Sequence, residues 1–367
     1  MRLRRTLSYT SGVAVAALAS SVLVPGCSTG YLLRQGYHQA ELLSGRVPID
    51  EAIDAGHFTE EQAERLRSVP RIKAFGDQIG LSPVRSYETI NPTWDRTIFN
   101  VSACEPLAFE PATWWFPVVG RVPYLGFFRE QDVRRRAARL ERRGLDVYVR
   151  TAGAYSTLGW FRDPILPGML DWSEHRLADT ILHELTHATV WIPGSVEFNE
   201  SLANFVGREA SMRWLISSYG EDHPSVAEAR ERIEDGHRFE ALLREVYEEL
   251  DAVYATPGLA EADKLASKRR ILASLPDRAD VLDLHHEERY LAKIREGTLN
   301  NARFVQFRTY NRSLEWFEVL LEQEGGDIPR FLARVEQIAA GAEDPYAALA
   351  LAVGAEPPES EGVGRAQ

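Results

Sequence analysis

Residues 181–207, ILHELTHATVWIPGSVEFNESLANFVG, constrain this chain more than any other stretch. His183 and His187 stand at i and i+4, so on a helix both imidazoles project from one face, one turn apart. Leu177, Ile181, Leu185 and Val190 supply an apolar side to the same period. Pro193-Gly194 breaks the pattern. A second helical pattern then starts near Glu197, with Phe198, Leu202, Phe205 and Val206 apolar. A turn at the break lets the second helix fold back over the first and brings Glu200 toward the two histidines.

Two readings of that face are open. In one, the polar side of a helix happens to carry two histidines. In the other, His183, His187 and Glu200 are metal ligands. Glu184, inside the His-Glu-x-x-His pattern, is then the general base on a zinc-bound water. Two His and one Glu leave the fourth position open, as a catalytic zinc requires; a structural zinc takes four protein ligands.

The N-terminus carries Arg2, Arg4 and Arg5, then an apolar run from Gly12 to Val24 that is too short to cross a bilayer. It reads as a secretory leader over residues 1–26. Val24-Pro25-Gly26-Cys27 is similar to a bacterial lipobox. That resemblance implies cleavage before Cys27 and lipidation of its thiol. Ser28 in the next position implies sorting to the outer membrane, facing the periplasm. The alternative is secretion with Cys27 unmodified. The second cysteine, Cys104, has no partner if Cys27 carries lipid, and is expected as a buried free thiol. Asp and Glu number 54 against 42 Lys and Arg, and the leader removes three of the arginines. So acidic a body argues against nucleic acid as a partner. Membrane attachment comes from acyl chains, not from basic attraction to lipid.

Residues 27–84 read as helices. Residues 85–160 read as a sheet region, with strands in DRTIFNVSA, TWWFPVVG and LDVYVRTAGAYS. Between these lies an amphipathic helix, EQDVRRRAARLERRG, with Val133, Ala137 and Leu140 inward and its arginines on a solvated face. Residues 171–210 hold the metal-site helices and 211–340 a further helical region, in which Asn300-Asn301 either caps a helix or faces the cleft. The tail, 356–367, is expected to be disordered. The fold class is α+β, mainly α: a small mixed sheet among many helices, forming one unit over 27–355.

His183-Glu184-x-x-His187 followed by Asn199-Glu200-x-x-Ala203 resembles the gluzincin metallopeptidases, with a shorter spacer. TWWFPVVGRVPYLGFF (113–128), GAYSTLGWFRDPILPGML (153–170), ADTILHELTHATV (178–190), FNESLANFVG (198–207) and LNNARF (299–304) are similar to a bacterial lipoprotein family described as predicted zinc aminopeptidases. The resemblance implies a zincin-like fold, Zn2+ on His183, His187 and Glu200, Glu184 as base, and a peptide substrate. Gly153, Ala154 and Tyr155 fall about where such enzymes place a substrate-binding edge strand. This chain has Tyr and Ser-Thr in place of their Gly-x-Met-x-Asn signature and lacks the glutamate that binds the substrate amine. Asn204, one turn after Glu200, is placed to fix the tautomer of a ligand histidine, or is a plain surface residue. Tyr310 and Tyr155 are candidate oxyanion donors. The expected function is a zinc-dependent peptidase, an aminopeptidase by resemblance. An endopeptidase and a non-catalytic metal-binding envelope lipoprotein are the alternatives.

Overall fold

A computed structural model describes residues 28–116, 120–154 and 162–357. The leader, Cys27, Tyr155 and the tail from residue 358 lie outside the described residues. From the N-terminus, α1 (Ser28–Ser44) leads into β1 (Val47–Pro48), α2 (Ile49–Asp54) and α3 (Glu60–Gln78). Thr59 and Gln62 form a reciprocal capping box that starts α3. Then come β2 (Thr89–Ile90), β3 (Phe99–Cys104), β4 (Trp114–Phe116), β5 (Gly120–Val122), β6 (Tyr124–Phe127), α4 (Glu130–Glu141) and β7 (Asp146–Thr151). Among the described residues, the elements after this are all helical: a short 3-10 turn (Pro167–Asp171), then α5 (Glu174–Thr189), α6 (Val196–Tyr219), α7 (Pro224–Ala255), α8 (Glu261–Ala273), α9 (Leu275–Ala279), α10 (Glu287–Arg295), α11 (Asn301–Asn311), α12 (Leu314–Gln323), α13 (Ile328–Ala339) and α14 (Pro345–Val353). Among the described residues no helix is long and apolar enough to cross a membrane.

The mixed sheet expected from the sequence is corrected to three small antiparallel sheets among the described residues. β1 pairs with β2, β4 with β5, and β3 with both β6 and β7. The reason is strand order. β6 and β7 run the same way, joined by α4, but β3 occupies the slot between them and runs opposite to both. The one parallel feature among the described residues is the isolated bridge between Ile90 and Ile165.

Side chains alternate across a strand, so this central sheet has two unlike faces. Val101, Ala103, Leu125 and Phe127 are buried with Val133, Ala137 and Leu140 of α4, the three inward residues expected for that helix. Asn100, Ser102, Tyr124 and Arg150 line the other side, together with residues of α11. Asn300 caps α11 by accepting from Arg303 N (3.2 Å), and its Nδ2 donates to the Val147 carbonyl (2.8 Å). Fully buried Asn301 donates through Nδ2 to the Glu105 carbonyl (2.9 Å) and accepts from the Tyr254 hydroxyl (2.9 Å). The pair is a cap and an anchor, fastening the start of α11 to the sheet.

The largest core cluster joins Val69 and Ile72 of α3, Leu177, Ile181 and Leu185 of α5, and Leu202, Val206 and Ala210 of α6. A second cluster, with Leu243, Val246, Leu250, Ile271, Leu291 and Phe304, lies under α7 to α11. Cys104 is a buried free thiol, and burial pushes its pKa up to about 12.

Candidate metal centre

Ser173 starts α5 by accepting from Arg176 N at 3.3 Å. The helix ends at Thr189, and the chain reverses at the Pro193-Gly194 turn, where Gly194 takes φ +82°, a conformation that costs glycine little. Asn199 secures that turn to α6: its Oδ1 accepts from Ile192 N and its Nδ2 donates to Ile192 O, both at 2.8 Å. The two helices then pack closely. A Cβ at Gly207 would lie 2.7 Å from Asp179 Oδ1, 2.9 Å from the Asp179 carbonyl and 3.2 Å from His183 Cβ. Only a residue without a side chain lets α6 approach α5 beside His183.

This hairpin brings the three donors together. His183 Nε2 and His187 Nε2 are 3.1 Å apart, and Glu200 Oε2 is 3.4 Å from the first and 3.5 Å from the second. Tetrahedral ligands at about 2.0–2.1 Å from a zinc ion stand roughly 3.3 Å from one another. The triangle has the size that such an ion requires. Two ring nitrogens aimed at each other also need a proton or a cation between them, because neither bare lone pair can satisfy the other. The donor set therefore fits a divalent metal, with two imidazoles and one carboxylate.

His187 and Glu200 are buried and His183 is half-buried. Burial alone would raise the Glu200 carboxyl, but His187 and His183 overcome it and hold the group well below the usual carboxylate range. His183 shifts the other way. Burial would lower it, yet Glu200 and Glu184 together hold it above an ordinary histidine. The His187 ring meets Trp191 edge-on with centroids 5.7 Å apart, and its Nδ1 is buried without a hydrogen-bond partner among the described residues.

Glu184 lies half-buried on the turn between the ligand histidines. Its charge is felt by Tyr87, Tyr124 and Tyr310, whose hydroxyls are pushed up first by burial and further by nearby carboxylates, Glu184 among them. The Tyr310 ring lies over His183 with centroids 6.2 Å apart and planes 26° apart. Tyr310 is thus a wall of the site. Tyr124 and Tyr87 lie near enough to feel its carboxylates, and Arg150 lies against Tyr310; sequence reasoning did not single them out. The signal for Tyr124 was its place in the aromatic stretch 113–128, in which Trp114 and Phe116 pack on the sheet core while Tyr124 lies on the sheet's other side, beside Arg150 and Tyr310. Tyr87 is fully buried at φ +64°, a strained conformation for a non-glycine residue.

The remaining candidates are placed differently. Asn204 Nδ2 donates to the Tyr310 carbonyl at 2.8 Å and to Asn311 Oδ1 at 3.2 Å. It holds the helix that carries Tyr310, not a ligand imidazole. The same flank of α6 holds α11 at further points: Ser201 Oγ donates to the Thr309 carbonyl (3.2 Å), and Glu197 pairs with Arg308 (3.0 Å) and Arg312 (2.8 Å). Gly153 and Ala154 form a bend beyond the end of edge strand β7, not a strand. A Cβ at Gly153 would come within 3.2 Å of Trp172, so the chain turns inward there. Tyr155 and Cys27 lie outside the described residues.

Residues 30–347 match a protein family described as "Putative aminopeptidase". No curated protein and no solved structure matches the chain.

Proposed function

We propose, for a chain that belongs to the putative aminopeptidase family, that it is a zinc-dependent peptidase of zincin-like fold, acting as an aminopeptidase with Glu184 as general base. The observation that carries this reading is the donor triangle of His183, His187 and Glu200, with sides of 3.1, 3.4 and 3.5 Å. A zinc ion held there supplies Lewis acidity toward a peptide carbonyl and toward an attacking water. The chain's own residues do the rest. Glu184, next to the first ligand, takes the proton from the attacking water and returns it to the leaving amine. Tyr310, whose hydroxyl is held well above its ordinary pKa by burial and by Glu200, stays protonated and donates to the developing oxyanion. Tyr124, pushed up in the same way, supplies a second hydroxyl on that wall. The lipobox-like run ending at Cys27 supports a place in the cell envelope, with acyl chains on Cys27 holding the enzyme to the outer membrane.

Replacing Glu184 by Gln is the test. The E184Q protein retains its metal and loses about 10²–10⁴-fold in kcat/KM on aminoacyl and internally quenched peptides. Turnover equal to that of the unaltered protein would remove Glu184 from the mechanism.

A further inference from the structure

A narrow cavity of about 30 Å³ lies between the central sheet and α11. A buried water needs about 10–15 Å³ measured this way, so the cavity admits about two water-sized groups. Arg150 shares its lining with the polar residues Asn100, Ser102, Tyr124, Gln306, Thr309 and Tyr310; alanine, proline and valine supply the remainder. Among the described residues no Asp or Glu lines it.

Arg150 is the charged member of that lining. Its Nη2 lies 3.4 Å from the Tyr310 hydroxyl, and its guanidinium carbon stands 5.8 Å from the centre of the Tyr310 ring. The Gln306 amide, turned to offer its oxygen, accepts from Nη2 at 3.1 Å and also from Nε. No carboxylate pairs with Arg150 among the described residues. Other half-buried arginines nearby are paired: Arg208 with Glu240, Arg308 and Arg312 with Glu197. A guanidinium held in a confined space with only neutral partners is costly, and the N–H groups that Gln306 and Tyr310 leave over, chiefly those of Nη1, can donate to a carboxylate. Two carboxylate oxygens are about what the cavity admits.

Position adds the rest. Tyr310 connects the two sites, with its ring over His183 and its hydroxyl beside Arg150. The Arg150 guanidinium carbon is 5.8 Å from the Tyr310 ring centre and that centre is 6.2 Å from the His183 ring; at about 3.5 Å per residue of extended chain, a carboxylate at Arg150 is within about three residues of a carbonyl at the metal ligands. We propose that Arg150 recognises the free C-terminal carboxylate of the substrate, so that the natural substrates are di- and tripeptides read from their carboxyl end. This deepens the peptidase reading above and rests on it.

Binding is measured by calorimetry on the zinc-loaded protein, in the E184Q background so that ligand is not consumed. The ligands are trialanine, its C-terminal amide, and amidated Ala-Glu-Ala, which offers a side-chain carboxylate instead. Trialanine binds at least about tenfold tighter than its amide, and tighter than the glutamyl amide. Adding R150Q abolishes the difference, and R150K restores part of it. Equal affinity for acid and amide, a preference that survives R150Q, or a glutamyl amide that binds as well as the free acid overturns the proposal. The two readings separate in a parallel assay with Glu184 intact. Cleavage of acid and amide with equal kcat/KM and equal affinity leaves a peptidase without the carboxylate site. No cleavage of any peptide, with the acid preference retained in binding, leaves the carboxylate site without a peptidase.

Discussion

On one side of the candidate site the donors His183, His187 and Glu200 all come from a single helical hairpin; on the other, Tyr124, Arg150 and Tyr310 come from β6, β7 and α11, spread over almost two hundred residues of chain. The first wall is largely local. Helical spacing puts two imidazoles on one face, the Asn199 contacts hold the turn, and Gly207 lets the helices meet. The second wall is wholly tertiary. It exists because α11 is fastened to the sheet at its start by Asn300 and Asn301, and to α6 at its end by Ser201, Asn204 and Glu197. A metal site built on the first wall should survive damage to the second, whereas turnover needs both.

That contrast can be broken or sharpened by substitution. Y310F removes a hydroxyl from the tertiary wall and leaves the ligands in place; the expected loss is about 10²–10³-fold in kcat with metal content unchanged. Loss of metal along with turnover would show that the walls are not independent. G207A attacks the local wall. Its methyl meets the Asp179 carbonyl, which cannot swing aside as a flexible side chain would. Overpacking of this kind costs about 1–3 kcal/mol, read as a lower unfolding midpoint with weaker zinc retention. N204A frees the end of α11 and is expected to lower kcat about tenfold through misplacement of Tyr310, with zinc affinity unchanged. A zinc defect in N204A, with kcat normal in the loaded protein, would return Asn204 to the ligand-orienting role that its spacing suggested.

The same contrast explains what was legible in the sequence. The grouping of His183, His187 and Glu200 could be read because i, i+4 spacing and a Pro-Gly break act over a few residues. Val133, Ala137 and Leu140 could be read as an inward face for the same reason. Asn204 could be seen as a polar residue one turn from Glu200, but its partners, Tyr310 and Asn311, lie more than a hundred residues away, and nothing local points to them. Arg150 and Tyr124 were invisible as site residues because alternation says which side chains share a face and not what covers that face. Strand order was hidden likewise: the composition of β3, β6 and β7 marks them as strands without saying that β3 lies in the middle. Gly207 left a weak trace, an isolated glycine inside a helical pattern.

The central claim is that the α5–α6 hairpin holds one transition-metal ion through three side chains. Elemental analysis of the purified protein after dialysis against zinc tests it most directly, with H187A and E200A measured beside it. The account predicts about one zinc per chain in the unaltered protein and almost none in either variant. An unaltered protein that retains no metal after reconstitution, or variants that retain as much as the parent, would contradict it.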